Sequence, residues 1–303
     1  GLSGILQEKS VDVTGFVKDA NRSTISKTRI VAGGRTTVSQ QIVRVDKESK
    51  EPMGKAQEQQ LEEYLKQVLP QVKGVVLSDY GSGTITDKLL GQIFAYCQEH
   101  NIPTIVDSRY DILRFKTVDY IKQNDAELSA AIGRDLATEE ELVLGGCELL
   151  VKMSAKGALI TRGEDGMSLF QIISPQEAAD YVKSQEASDS VDAGQFREGL
   201  AVKLVVKRQT GRLSVVQELI SYQDRDILVS HIPVTDKSEV YDVSGAGDTC
   251  VATVILGLAA GLEPLLACQL SNEASGIAVR KMGTAVVYAQ ELEARFRQLG
   301  YEA

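Results

Sequence analysis

The sequence predicts a three-layer α/β/α domain around a mostly parallel sheet, preceded by a smaller group of short β-strands. Three observations predict it. Apolar, β-branched runs such as VKGVVLSD and IPTIVDS alternate with amphipathic runs such as TDKLLGQIFAYCQEH, the pattern of a parallel sheet covered on both faces. Residues 11–46 instead hold three Val-, Ile- and Thr-rich stretches with partial alternation, which is the composition of strands. The chain has 303 residues, 43% of them apolar, enough to bury one core of this size as a single domain.

Each element follows from local pattern. VDVTGFV, STISKTRIVAG and TTVSQQIVRVD read as strands, and Gly33 and Gly34 mark a hairpin turn between the last two. From Ala56 to Leu69 the apolar residues Leu61, Leu65, Val68 and Leu69 recur at helical spacing. The strand VKGVVLSD, the helix TDKLLGQIFAYCQEH, the strand IPTIVDS and the strand VDYIKQN follow, and a short helix begins at Asp125. ATEEELVLGGCELL reads as a helix, LLVKMS and GALITRG as strands, and EDGMSLFQ as a turn and another strand. Helices are expected from about Gly247 to Gly261, Leu265 to Lys281 and Gln290 to Leu299. Between Ser174 and Asp236, SPQEAADYVKSQEASDSVDAGQ is polar and partly helical. LAVKLVVKRQTGRLSVVQELISY fits either a hairpin turning near Thr210 and Gly211 or a helix.

Composition excludes several classes of function. A net charge of -9 leaves no general attraction for nucleic acid or anionic lipid, so any anion site must be local. Cys97, Cys147, Cys250 and Cys268 form no CxxC pair, and His100 and His231 are the only histidines to join them. This argues for small buried hydrophobes in a reducing cytoplasm rather than zinc or disulfides. The longest apolar run, Cys250 to Leu262, falls short of the roughly 20 residues of a membrane span. The chain opens with GLSG and lacks the charged start and apolar stretch of a signal peptide, as a fragment or trimmed chain would.

The strongest chemical signal is Tyr241-Asp242-Val243-Ser244-Gly245-Ala246-Gly247-Asp248-Thr249, followed at once by an apolar helix. Gly245, Ala246 and Gly247 let backbone N–H groups approach an anion at a helix N-terminus, where the helix dipole favours negative charge. Asp248 in the first turn can reach a hydroxyl held beside a transferring phosphoryl group, which makes it the candidate base. There is no GxxxxGK[ST] loop, and GAGDTC is not GxGxxG. These residues alone leave open a plain turn with Asp248 stabilising the helix start.

DVSGAGDT before an apolar helix resembles the C-terminal signature of the ribokinase family, also called the PfkB carbohydrate kinases. Three further segments agree in order. Asn124 and Glu127 in QNDAEL match the family's NxxE element. Thr161, Arg162, Gly163 and Gly166 in ITRGEDGM resemble its strand and turn beside the nucleotide, and Asn272 in SNEASGIAVRKMGTAVV its adenine-side segment. The resemblance implies a ribokinase-like fold with residues 11–46 as a small β lid, and a kinase using ATP and Mg2+. It implies that Glu127 holds the metal through water and that Asn124, Thr161, Arg162, Gly163, Gly166 and Asn272 bind the nucleotide. Helix capping, a hairpin turn and a hydrogen bond within a helix pair are the plainer alternatives for these residues.

KTRIV, QQIVRVDKE, VVLSDYGSG and ASGIAVRKMGTA are similar to the heptose phosphate kinases of that family. That likeness implies a small-molecule sugar phosphate as partner, contacted by Arg44, Glu48 and Asp79, and a homodimer through the lid strands. In place of DYxKG the chain reads Asp79-Tyr80-Gly81-Ser82-Gly83, and in place of DPKG it reads Asp107-Ser108-Arg109-Tyr110. The family's first strands and early GG motif would lie before Gly1. Residues from about 172 to 237 form an insertion longer than the family's link. Another sugar or nucleoside kinase, or a non-catalytic nucleotide-binding protein on the same fold, remains an alternative.

Overall fold

The computed structural model describes residues 1–33, 40–49, 51–185, 191–192, 196–197, 200–210, 213–237 and 240–300. The chain divides into two units, one of residues 1–72 and 79–96, the other of residues 73–78 and 97 onward.

The first unit opens with α1 (Leu2–Glu8), followed by β1 (Ser26–Ala32), β2 (Gln40–Lys47) and α2 (Lys55–Val68). β1 and β2 pair antiparallel, with Ile30 opposite Val43 and Thr28 opposite Val45. Cross-strand partners share a face, so Ile30, Val43 and Val45 form one apolar side of the ribbon, and all three are exposed. The strand expected in VDVTGFV is not formed. Asp12 Oδ1 accepts hydrogen bonds from Thr14 N at 2.9 Å and Thr14 Oγ1 at 2.8 Å, a side-chain-capped turn that competes with extended pairing. The hairpin turn read at Gly33 and Gly34 falls at the edge of 34–39, which lie outside the described residues.

The second unit holds the sheet. Its elements are β3 (Val75–Asp79, whose last residue belongs to the first unit), α3 (Asp87–Glu99, begun in the first unit), β4 (Thr104–Ser108), β5 (Tyr120–Asn124), α4 (Asp125–Ile132), α5 (Glu139–Met153), β6 (Gly157–Thr161) and β7 (Met167–Ile173). There follow α6 (Pro175–Gln185), β8 (Val191–Asp192), β9 (Phe196–Arg197), β10 (Leu200–Thr210), β11 (Leu213–Tyr222), β12 (Arg225–Ile232), α7 (Ala246–Ala259), α8 (Pro264–Ala278) and α9 (Ala289–Gln298). Strand order is β3-β4-β5-β6-β7-β12-β11-β10-β8, with β9 also on β10.

The sheet is mixed rather than mostly parallel. β4, β5 and β6 run parallel, whereas β6–β7 and every described pair beyond it are antiparallel. The GEDG turn sends β7 straight back along β6. The ambiguous stretch LAVKLVVKRQTGRLSVVQELISY is the hairpin β10–β11, its residues 211–212 lying outside those described. These strands thus extend the sheet, and with α6 they carry a small core in which Ala178 meets Leu204, Val206 and Leu219.

LLVKMS is not a strand but the end of α5. Leu149, Leu150 and Met153 are fully buried, so the apolar run that resembles a strand is the inward side of a helix. Ser154 ends it in the left-handed conformation, φ 52°. The remaining helices fall close to their expected limits.

All four cysteines are buried inside α3, α5, α7 and α8. Burial pushes the Cys97 thiol up to about 11, and it holds Cys250 and Cys268 above their usual value. At pH 8 the thiolate is therefore a minute fraction. The native chain is expected to leave a disulfide-exchange reagent essentially unconsumed over minutes, and the denatured chain to titrate four thiols. Rapid reaction of any thiol in the native state would contradict the buried placement.

Candidate active site

The loop ahead of α7 is built by its own residues. Asp242 Oδ1 accepts from Ser244 N at 2.8 Å and Oδ2 from Gly283 N at 3.2 Å. Tyr241 N and Asp242 N both donate to Val279 O, at 2.9 and 3.2 Å. These bonds moor the loop to the segment just beyond α8. Gly245 is the N-cap at φ 83°, ψ 0°, a left-handed conformation that a side chain would strain. Of the first-turn N–H groups of α7, that of Ala246 donates to Val243 O at 3.2 Å and is taken up within the loop, while those of Gly247 and Asp248 have no acceptor within their own helix, at the positive end of its dipole. Asp248 lies exposed in this turn.

Behind the loop lies a charge pair that motif reading missed. Asp107 and Lys122 are direct partners in the β4–β5 register, and Lys122 Nζ donates to Asp107 Oδ2 at 3.0 Å. Their side chains are 17% and 6% exposed, so this is a buried pair. A Cβ on Gly247 would stand 2.9 Å from Lys122 Nζ and 3.8 Å from Asp107 Oδ2. Glycine at 247 therefore lets the ammonium reach the first turn of α7. The available signal was a lysine inside an apolar strand, two residues before the Asn124 cap. Burial alone would lower Lys122, but Asp107 and then Glu127 carry it above its ordinary value and keep it charged. Burial first, with smaller contributions from Glu127 and Asp248, raises Asp107 against the pull of Lys122. Lys122, Asp107, Glu127 and Asp248 thus form one electrostatic cluster at the N-terminus of α7.

Asn124 and Glu127 form the capping box of α4. Asn124 Oδ1 accepts from Glu127 N at 2.7 Å, and Asn124 N donates to Glu127 Oε2 at 2.9 Å. Capping does not exhaust the carboxylate, whose charge still acts on Asp107 and Lys122. No cluster of three or more ligating side chains occurs among the described residues. The donor set of Glu127 and Asp107 fits a hydrated magnesium ion, which takes one or two carboxylates and completes its shell with water and phosphate.

The strand-turn motif is compact. Thr161 ends β6, its Oγ1 3.4 Å from Gln123 O. Arg162 forks onto Glu139 in the first turn of α5 at 2.8 and 2.5 Å, so its guanidinium is engaged within the fold. Gly163 and Gly166 adopt φ 55° and 84°. A Cβ on Gly166 would fall 2.1 Å from Ile232 O, a backbone atom that cannot step aside. Gly166→Ala is expected to cost more than about 3 kcal/mol, through strain and clash together. A denaturant midpoint within error of the parent would contradict the close approach. Asn272, 7% exposed, donates from Nδ2 to Pro233 O at 2.9 Å.

Arg44, Glu48 and Asp79 belong to the first unit. Arg44 lies directly opposite Arg29 on the ribbon and pairs with Asp46 at 2.8 Å, while Glu48 pairs with Lys27 at 3.2 Å. Asp79 is 6% exposed and accepts from Gly81 N at 3.0 Å.

Residues 2–195 and 219–290 match the description "pfkB family carbohydrate kinase". The chain is 32% identical over 285 residues to the "Bifunctional protein HldE" of Geobacter metallireducens, covering 94% of this chain and 46% of the relative. It is 32% identical over 300 residues to the protein of the same name from Hyphomonas neptunium, covering 99% of this chain and 49% of that one. The chain therefore spans about half the length of these curated relatives. Among solved structures, phosphofructokinase-2 from Escherichia coli superposes with a TM-score of 0.59 at 17% identity, covering 99% of this chain and 78% of that one. Arabidopsis thaliana ribokinase gives a TM-score of 0.55 at 16% identity, covering 93% and 71%. These likenesses show a shared fold. No helix among the described residues is long and apolar enough to cross a membrane.

Proposed function

The chain belongs to the pfkB family of carbohydrate kinases and is an ATP-dependent carbohydrate kinase, and from that premise we propose that its acceptor is a hydroxyl of a heptose phosphate. The observation that carries the mechanism is the ammonium of Lys122 packed against Gly247, beside the exposed Asp248.

Phosphoryl transfer needs the reacting oxygens aligned and the charge on the equatorial oxygens neutralised. The first-turn amides of Gly247 and Asp248 offer donors to those oxygens, in a loop whose internal bonds fix it before substrate arrives. Lys122 adds a full positive charge from below, held in place by Asp107. Magnesium bound with the nucleotide would neutralise further phosphate charge, and Glu127 and Asp107 are the residues that would hold its water shell. Asp248 takes the proton of the acceptor hydroxyl through its exposed carboxylate. Thr161, Gly163 and Asn272 line the nucleotide side in this reading.

The heptose phosphate assignment draws support from the paired Arg29 and Arg44. Asp46 pairs with one edge of Arg44, and the two guanidiniums directly opposite one another on the ribbon still carry more donors than that one carboxylate takes up, which suits an anion with several acceptor oxygens. A different acceptor, in another sugar or nucleoside kinase, is favoured by Ser82 and Arg109, which stand where the family's lysines are expected. ATP consumption across heptose phosphates, pentoses, ketohexose phosphates and nucleosides separates the two. Heptose phosphate is expected to give the highest kcat/KM, and Arg44→Met to raise its KM about tenfold or more, ~1.4 kcal/mol. Preference for an unphosphorylated sugar, unmoved by Arg44→Met, would refute the assignment.

The exposed apolar side of the ribbon, Ile30, Val43 and Val45, supports a homodimer through these strands. Light scattering is expected to give twice the chain mass, and a monomer at all concentrations would refute it.

A further inference from the structure

Two candidate nucleotide residues from distant parts of the chain close on the same stretch of backbone. Asn272 of α8 donates to Pro233 O at 2.9 Å. Gly166, in the turn before β7, approaches the same peptide so closely that a Cβ there would lie 2.9 Å from Pro233 C and from Val234 N. The segment leaving β12 is therefore shared wall for both.

The next residues of that segment are gripped from the other side. Glu273 is 2% exposed, and the Thr235 hydroxyl lies 2.7 and 2.8 Å from its two carboxylate oxygens. Arg295 of α9 donates from Nε to Glu273 at 2.8 Å and from Nη2 to Thr235 Oγ1 at 2.7 Å. Its Nη1 stands 3.8 Å from Asp236 Oδ2. Arg280 holds the same residue, donating to Asp236 O at 2.9 Å and pairing with Oδ2 at 3.0 Å. A pair serving only to fasten α9 to α8 would need Arg295 and Glu273 alone. Here the guanidinium spends a second bond on Thr235, so the network converges on residues 233–236. A buried carboxylate is tolerated only with such partners in good geometry, which leaves the segment one arrangement.

We propose that Arg295, acting through Glu273 and Thr235, is a positioning residue for the nucleotide base: it fixes the 233–236 wall and thereby sets affinity for the base-bearing nucleotide without touching its phosphates. The proposal rests on the kinase reading above. Its test is equilibrium binding of magnesium ATP and of magnesium tripolyphosphate to the whole chain, with kcat at saturating ATP. Arg295→Met is expected to weaken ATP about tenfold, leaving tripolyphosphate and kcat within about twofold. Arg295→Lys restores part of the loss. Thr235→Val gives the same split while leaving the ion pair whole, and serves if Arg295→Met does not fold.

Equal weakening of both ligands, or a lowered Tm with both affinities unchanged, would show Arg295 to be merely structural. A parent chain that phosphorylates sugar yet binds ATP no tighter than tripolyphosphate has no base contact to position, and this inference alone falls. A parent that binds neither ligand and turns over no sugar overturns the kinase reading and this one with it.

Discussion

Asp248→Asn is expected to lower sugar-dependent ATP turnover about a thousandfold, with KM for both substrates within a few fold. The side chain is exposed in the first turn of α7, so the amide keeps the shape and the local helix start while losing the ability to take a proton. Its loss of negative charge near the helix N-terminus costs ~0.3–1 kcal/mol, too little to unfold the chain. The kcat loss should therefore appear with a nearly unchanged Tm. A coupled assay of ADP release checks it. A reduction below about tenfold would remove Asp248 from the role of base and leave it as a helix-start residue.

Lys122→Met is the second large effect, and it acts on stability and on chemistry together. Breaking one side of a buried pair strands the other charge, which costs about 3–5 kcal/mol. With Asp107 left unpaired beside Glu127 and Asp248, its carboxyl rises further, and part of the stability loss should be recovered as the pH falls and Asp107 takes up a proton. The sign follows because a carboxyl with a raised folded-state pKa favours the folded chain most when protonated. Asp107→Asn combined with Lys122→Met removes both charges and is expected to regain much of the lost stability, without regaining activity. Urea unfolding at two pH values and kcat on the double variant check these statements. A double variant as unstable as Lys122→Met would mean that packing, not the stranded charge, dominates. One with normal kcat would remove Lys122 from phosphate stabilisation.

How far the site was legible varies residue by residue. The loop at Asp242–Asp248 was legible because its chemistry is local: Asp242 caps its own turn, Gly245 supplies a left-handed φ and an apolar helix begins at once. Asn124 and Glu127 were legible as a spacing, and the structure gives them a capping box whose carboxylate still reaches the charge cluster electrostatically. The capping role is the one the hydrogen bonds give, and the site role stands beside it as part of the proposed function. Arg162 was named for its place in a motif, but its fork onto Glu139 joins residues that only the fold brings together. LLVKMS misled because an apolar run buried all along one helix has no visible helical period. VDVTGFV misled because a two-residue side-chain turn outweighed weak alternation.

The alternation of strands and helices, the glycine-bearing loop ahead of α7 and the buried cysteines were determined by the sequence alone, since each follows from conformational preference or apolar spacing within a few neighbouring residues. Tertiary structure decided the direction of the strands from β7 to β12 and which charges meet. Asp107 and Lys122 carry no sign of each other in sequence. The β4–β5 register sets them opposite, and burial strengthens their attraction by removing water, leaving a positive charge under the loop where phosphate charge would develop. The grip of Arg295 and Glu273 on Thr235 arises in the same way, from helices packed at the end of a strand and charges that must pair once water is excluded.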